Sequence, residues 1–304
     1  MKRPTRDTAA GRAYLDLQNL ARREHRGTQE LLTMYVVERW LARLSCSKYV
    51  DDFVLKGGML LASFGKRRPT IDADALARNM AADQNTVADR VAEIAALSDP
   101  DDGVKYLTNS IITTIIRDDA RYSGVRVVMD ARIATAQLKL RLDINFGDPV
   151  TPEPRVIELP ALRPGVTPIR VLGYPIETVT AEKLATAIEL GPANTRVRDY
   201  VDVYTLIGEH ALDFTAVQKA LRATAAFRGT ILRPLSEAVS NIADLRSSTY
   251  SAYRRNLGVD GAHLPERFAD VVPAITEFTD PLVVEGDTAR SWDPRLRSWS
   301  PLEE

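Results

Sequence analysis

The chain has 304 residues, 45% of them hydrophobic and 27% charged, with 40 Lys and Arg set against 41 Asp and Glu. That length can bury a full core and fill two domains, while the balanced charge supplies no global field to draw in nucleic acid or a membrane surface. A single cysteine, Cys46, excludes an intrachain disulfide and a cysteine-built zinc site, and His25, His210 and His263 are too few for a histidine-rich metal centre.

The opening residues lead into an amphipathic segment, not the apolar core of a signal peptide, and no apolar run approaches membrane-spanning length. A cytoplasmic protein with no membrane partner is therefore expected. Helical spacing predicts helices over about residues 10–23 and 28–45, the second carrying Leu31, Leu32, Tyr35, Val36, Trp40, Leu41 and Leu44 on its apolar side. Thr28 is the expected N-cap of the second, with Glu30 in its first turn. An extended segment, Asp52 to Leu55, meets Gly57-Gly58 and a short helix from Met59 to Gly65. A strand bearing Asp72 and Asp74 follows, then a helix from about Asn85 to Leu97 and a turn at Asp99-Pro100.

From Ser110 to Phe146 the reading is β. Its clearest strand puts Leu138, Leu140, Leu142, Ile144 and Phe146 on one face and Lys139, Arg141, Asp143 and Asn145 on the other. Prolines at 149, 152, 154, 160, 164 and 168 mark a connection to Val171-Leu172. Beyond Tyr174 the chain reads as mostly helical. Thr180 is placed as the cap of a helix through Ile188, Thr195 as the cap of one through Ile207, and Asp213 or Thr215 as the start of the next. Further helical stretches are expected over about residues 231–257 and 265–278. The expected fold class is mixed α/β (α+β), with an N-terminal lobe over residues 1–173 and a helical lobe over 174–304.

The chemistry concentrates in Leu55-Lys56-Gly57-Gly58 and in Arg68-Pro69-Thr70-Ile71-Asp72-Ala73-Asp74. On a strand, Asp72 and Asp74 point to one face. Like charges held together repel unless a cation intervenes, and hard cations such as Mg²⁺ choose carboxylate oxygen. A glycine pair lets backbone N–H groups approach an anion closely. Taken alone, Gly-Gly reads as a tight turn and an Asp-x-Asp pair as a solvated face. Their order, with Asp143 on a later strand, raises a metal–triphosphate site above both. Lys183 is placed in the first turn of a helix, where a bound phosphate would offset its unfavourable meeting with the helix dipole. A solvated lysine beside Glu182 is the equal alternative there. Asp199 and Asp202 share a helix face, with Arg198–Asp202 read as an ordinary intrahelical ion pair. Arg117, Arg121, Arg126, Arg132, Lys139 and Arg141 give the β region a basic excess, either scattered surface charge or a grip for nucleic-acid phosphates.

The run from Tyr49 to Leu61 and the Arg68-x-Thr70-x-Asp72-x-Asp74 pattern resemble the first motif of the AbiEii/MenT nucleotidyltransferase toxins. Arg141-Leu142-Asp143, Ala181-Glu182-Lys183 and Arg196-x-Arg198-Asp199-x-x-Asp202 resemble the three motifs that follow, so the resemblance covers about residues 15–210. Thr70 stands where serine is frequent, and Ala73 where a larger apolar residue is commoner. Neither change removes a ligand.

The resemblance implies a polymerase-β-like nucleotidyltransferase lobe followed by a helical lobe. It also implies Mg²⁺-dependent transfer of NMP from an NTP to the 3′ end of tRNA, with neutralisation by a cognate AbiEi-type antitoxin. Asp72, Asp74 and Asp143 would hold two Mg²⁺ ions, and Gly57, Gly58 and Lys183 would contact the triphosphate with support from Arg68. Asp199 and Asp202 would complete the site. Thr70 matches a hydroxyl that the antitoxin phosphorylates in some relatives. Two alternatives remain beside this expectation: NMP transfer to a protein or small-molecule hydroxyl, and a catalytically silent module that binds NTP or the antitoxin.

Overall fold

A computed structural model describes residues 3–65, 70, 72–118, 122–284 and 289–301. The chain divides into two compact units, the first comprising Met1–Gly147 and Arg155–Gly173, the second Asp148–Pro154 and Tyr174–Glu304. Among the described residues no helix is long and apolar enough to cross a membrane.

The first unit opens with helices α1 (Ala9–Arg23) and α2 (Thr28–Ser45). Thr8 caps α1 by accepting from the Gly11 N–H at 3.1 Å. The expected cap of α2 is displaced by one residue: Thr28 is its first helical residue and Gly27 precedes it without a side-chain cap. Strand β1 (Phe53–Lys56) runs into a four-residue helical turn, α3 (Gly57–Leu60), continued as a tighter turn over Leu61–Phe64. Then come β2 (Ala73–Ala77), α4 (Gln84–Ala96), β3 (Val104–Asp118), β4 (Tyr122–Ile133), β5 (Ala136–Phe146), β6 (Arg155–Leu159) and β7 (Ile169–Gly173). They form a seven-stranded mixed sheet in the order β3-β4-β5-β2-β1-β7-β6. The β2–β5 and β1–β7 pairs are parallel and the other neighbours antiparallel.

The two-residue period of the strands decides which face is buried. Leu55, Ala73, Ala75, Leu142 and Ile144 line a small apolar gap with Trp40, Leu41 and Leu44 of α2. Trp40 meets the Phe53 ring edge-on at 5.7 Å and donates its indole N–H to the Val91 carbonyl, so α2, α4 and the sheet share one core. Arg43, also on α2, is almost fully buried. It reaches the Asp102 carboxylate at 3.0 Å and stacks 4.5 Å from the Tyr106 ring centre. A buried charge needs such partners, and this one ties α2 to the loop before β3.

The second unit consists of α5 (Ile176–Leu190), α6 (Val197–Glu209), β8 (Leu212–Asp213), α7 (Phe214–Arg228), α8 (Leu235–Ala238), α9 (Ile242–Leu245), α10 (Ser247–Asn256), α11 (Phe268–Val284), β9 (Arg290–Asp293) and β10 (Ser298–Pro301). Asp213 caps α7 through the Ala216 N–H at 2.7 Å. Three helix-boundary expectations are corrected. The Thr180 hydroxyl donates to the Ile176 carbonyl inside α5, which starts after Pro175. Thr195 is no cap; Arg196 precedes α6 and donates its N–H to Asn194 Oδ1. The stretch expected to be helical over 231–257 breaks into α8, α9 and α10. A three-stranded sheet, β10-β9-β8, also joins these helices. Trp292 of β9 is buried, sits 4.9 Å from Phe278 of α11, and donates to the Ile207 carbonyl.

Candidate active site

In the first unit one row of charged residues crosses four adjacent strands. Register sets Lys56 of β1 beside Asp74 of β2, Asp74 beside Asp143 of β5, and Asp143 beside Arg126 of β4. Register partners project to one side of a sheet, and their strand neighbours Leu55, Ala73, Ala75, Leu142 and Ile144 face α2. The charged row therefore occupies the face away from that helix. Adjacent carboxylates on neighbouring strands repel one another; a basic residue at each end of the row offsets that repulsion.

Arg126 donates to Asp143 through Nε at 2.7 Å and Nη2 at 2.6 Å, a bidentate pair. That hydrogen bonding, reinforced by the charges of Asp143, Asp72 and Asp74, raises the arginine pKa further. Asp72 lies just before β2 and is half-buried. Thr70 is 8% exposed, and its hydroxyl donates towards Asp72 Oδ1 at 3.2 Å and the Asp72 carbonyl at 3.3 Å.

Gly57 takes a left-handed backbone, φ +69°, and a Cβ there would lie 1.9 Å from Asp74 Oδ2. The Asp74 carboxylate thus rests on the bare glycine, and no other residue leaves that space. Gly58 is buried within α3. Arg68 lies outside the described residues.

The second unit holds a separate cluster. Lys183 Nζ donates to Asp199 Oδ1 at 2.7 Å and Asp202 Oδ2 at 2.8 Å, with the three side chains 12%, 14% and 4% exposed. Lys183 is the eighth residue of α5, not a first-turn residue, so its charge is balanced by two carboxylates of α6 instead of opposing a helix start. Asp202, expected to pair with Arg198, faces Lys183. The cluster ties α5 to α6 and carries a net charge of about −1 when all three groups are ionised.

The donor set in the first unit suits a hard cation: Asp72, Asp74 and Asp143 offer carboxylate oxygens, the ligand type Mg²⁺ prefers. The glycine under Asp74 fits the same use, since it lets backbone and carboxylate share a small space. On Asp143 both carboxylate oxygens are taken by the Arg126 guanidinium. Among the described residues no three or more His, Cys, Asp and Glu side chains are arranged to hold a metal ion, and Asp143 is committed to Arg126. Sequence alone groups Arg126 only with the scattered basic residues. Its place on the polar face is legible from the buried alternation of Val125, Val127 and Met129, but its partner is not.

A family model described as the nucleotidyl transferase AbiEii toxin of type IV toxin–antitoxin systems matches residues 39–282. MenT4, a nucleotidyltransferase toxin from Mycobacterium tuberculosis H37Rv, is similar in structure with a TM-score of 0.50 and 16% identity, covering 84% of this chain and 92% of its own. An H. pylori candidate nucleotidyltransferase is similar with a TM-score of 0.50 and 17% identity, covering 86% of this chain and 100% of its own. At such identities the likeness is one of fold. No curated protein matches the chain. The family match spans Asp72, the strands that carry Asp74 and Asp143, and the helices that carry Lys183, Asp199 and Asp202, and on it the chain belongs to the AbiEii nucleotidyltransferase toxin family.

Proposed function

We propose that this chain transfers NMP from an NTP to the 3′ end of tRNA, blocking aminoacylation, and that a cognate antitoxin neutralises it. The observation that carries the reading is the row of Asp74, Asp143 and Arg126 on one sheet face, with Asp72 beside it and Gly57 beneath Asp74. Asp72, Asp74 and Asp143 would hold Mg²⁺. Bound there, the metal would lower the pKa of the attacking hydroxyl and stabilise charge on the leaving pyrophosphate. The protein's own part is positional. Gly57 fixes where the Asp74 carboxylate sits, and the Thr70 hydroxyl orients Asp72.

Lys183 is assigned to the NTP phosphates, with Asp199 and Asp202 holding its ammonium in place until a phosphate competes for it. Arg132 and Arg141 stand exposed on the same sheet face as Arg126 and Asp143. Contacts from them to a nucleic-acid backbone would make acceptor binding weaken steeply with salt. A phosphate on Thr70 would set about two negative charges against Asp72 and repel both the carboxylates and NTP, which makes this hydroxyl a place for the antitoxin to act.

The test is incubation of the purified chain with each labelled NTP and total tRNA, followed by sequencing of the tRNA 3′ ends. Added nucleotides in the wild type and none in Asp72→Ala are expected. Label confined to protein would overturn the tRNA acceptor.

A further inference from the structure

Two carboxylates in register on adjacent strands need positive charge close by, and the charged row supplies it at both ends. The two ends differ. Lys56 is 8% exposed and confined beside Asp74. The Arg126 side chain is 47% exposed and leans across to β5 to take both oxygens of an Asp143 carboxylate that is itself only 15% exposed. A bidentate guanidinium occupies the same two oxygens that a divalent ion would coordinate.

We propose that Arg126 is a built-in counter-ion that competes with the divalent cation for Asp143 and thereby sets the metal affinity of the site. The proposal rests on the reading of Asp72, Asp74 and Asp143 as the metal-holding carboxylates. In the metal-free protein the guanidinium neutralises the row and keeps the carboxylates from driving β2 and β5 apart. Metal binding requires it to leave Asp143, so part of the metal's intrinsic affinity is spent on displacing it. Arg126 is then a positioning residue whose removal improves one property of the site, an outcome that a purely structural ion pair does not give.

Mn²⁺ is the probe, titrated into the full-length protein without NTP and followed by electron paramagnetic resonance of the free ion and by thermal unfolding. Arg126→Gln is expected to bind Mn²⁺ about tenfold more tightly than wild type or better, the order of one charge-assisted pair. Its melting temperature should rise more on adding Mn²⁺. Arg126→Lys keeps the charge but loses the fork, so it should fall between the two, and it carries the test if Arg126→Gln does not fold. Asp143→Asn should bind more weakly than wild type.

Weaker or unchanged Mn²⁺ affinity in the Arg126 variants, with binding lost in Asp143→Asn, would overturn the competition and leave the metal reading standing. If neither wild type nor Arg126→Gln binds Mn²⁺, the metal reading itself falls, and the proposal falls with it.

Discussion

Replacing Gly57 with alanine separates what the backbone needs from what Asp74 needs. The left-handed conformation at φ +69° costs a non-glycine residue about 1–2 kcal/mol. The new Cβ would also lie 1.9 Å from Asp74 Oδ2, 2.7 Å from its Cγ and 2.9 Å from its Cβ, so the carboxylate must move. Moving it is an overpacking problem worth about 1–3 kcal/mol, and the two costs together give about 2–5 kcal/mol. Gly65 is the control, because it has φ +93° and a Cβ added there would meet nothing within 4 Å. Gly65→Ala should therefore bear only the backbone cost, about 1–2 kcal/mol. Urea unfolding followed by circular dichroism gives the difference between the variants. Nucleotidyl transfer gives the second readout: a displacement of about 1 Å at a reacting group is worth about 100-fold, so Gly57→Ala should lose transfer by that order while Gly65→Ala keeps it. Equal stability and equal transfer in the two variants would refute the contact between Gly57 and Asp74 as the reason for the glycine.

Three further outcomes follow from named contacts. Lys183→Met takes the ammonium away from Asp199 and Asp202, both mostly buried, and should cost about 3–5 kcal/mol in urea unfolding. Adding Asp199→Asn and Asp202→Asn should restore much of that stability without restoring transfer; recovered transfer would reduce Lys183 to a helix clamp. Asp102→Ala leaves the Arg43 guanidinium, whose side chain is 7% exposed, without its carboxylate and should cost a similar 3–5 kcal/mol, on the order expected for a broken buried pair, by the same measurement. Tyr250 donates its hydroxyl to the Pro265 carbonyl, and burial pushes its pKa up to about 12 from the usual 10.0. The group whose folded pKa is raised stabilises fully below its unfolded value and loses that contribution as pH climbs through the folded one. The stability advantage of wild type over Tyr250→Phe should hold below pH 10 and shrink between pH 10 and about 12 in unfolding curves taken across that range. A constant advantage would mean the hydroxyl does not titrate with unfolding.

The sequence carries the parts of the first unit that depend on local period. β5 alternates because one of its faces meets α2, and the same alternation puts Asp143 on the polar face. What it cannot carry is register. Nothing within β4 says that Arg126 lies opposite Asp143, because that pairing is fixed by the length of the turn between β4 and β5 and by the buried faces of both strands. The start of α5 is hidden for a different reason. Thr180 resembles a cap, yet Pro175 fixes the chain one turn earlier and the Thr180 hydroxyl turns back onto the Ile176 carbonyl. That shift moves Lys183 from a helix end to a helix middle and changes its partner from a dipole to two carboxylates. The hairpin of β9 and β10 has little local signal because its strands are four residues each; tertiary contacts of Trp292 and Trp299 with Phe278 hold it, not local propensity.

The central claim, that the sheet-face carboxylates carry out the transfer, is tested most directly by Asp74→Asn, a nearly isosteric change that keeps the hydrogen-bonding volume above Gly57. Incorporation of labelled nucleotide into tRNA 3′ ends, measured beside a melting curve that shows the variant is folded, should fall by about 1,000-fold or more. Transfer at the wild-type rate from a folded Asp74→Asn protein would contradict the account.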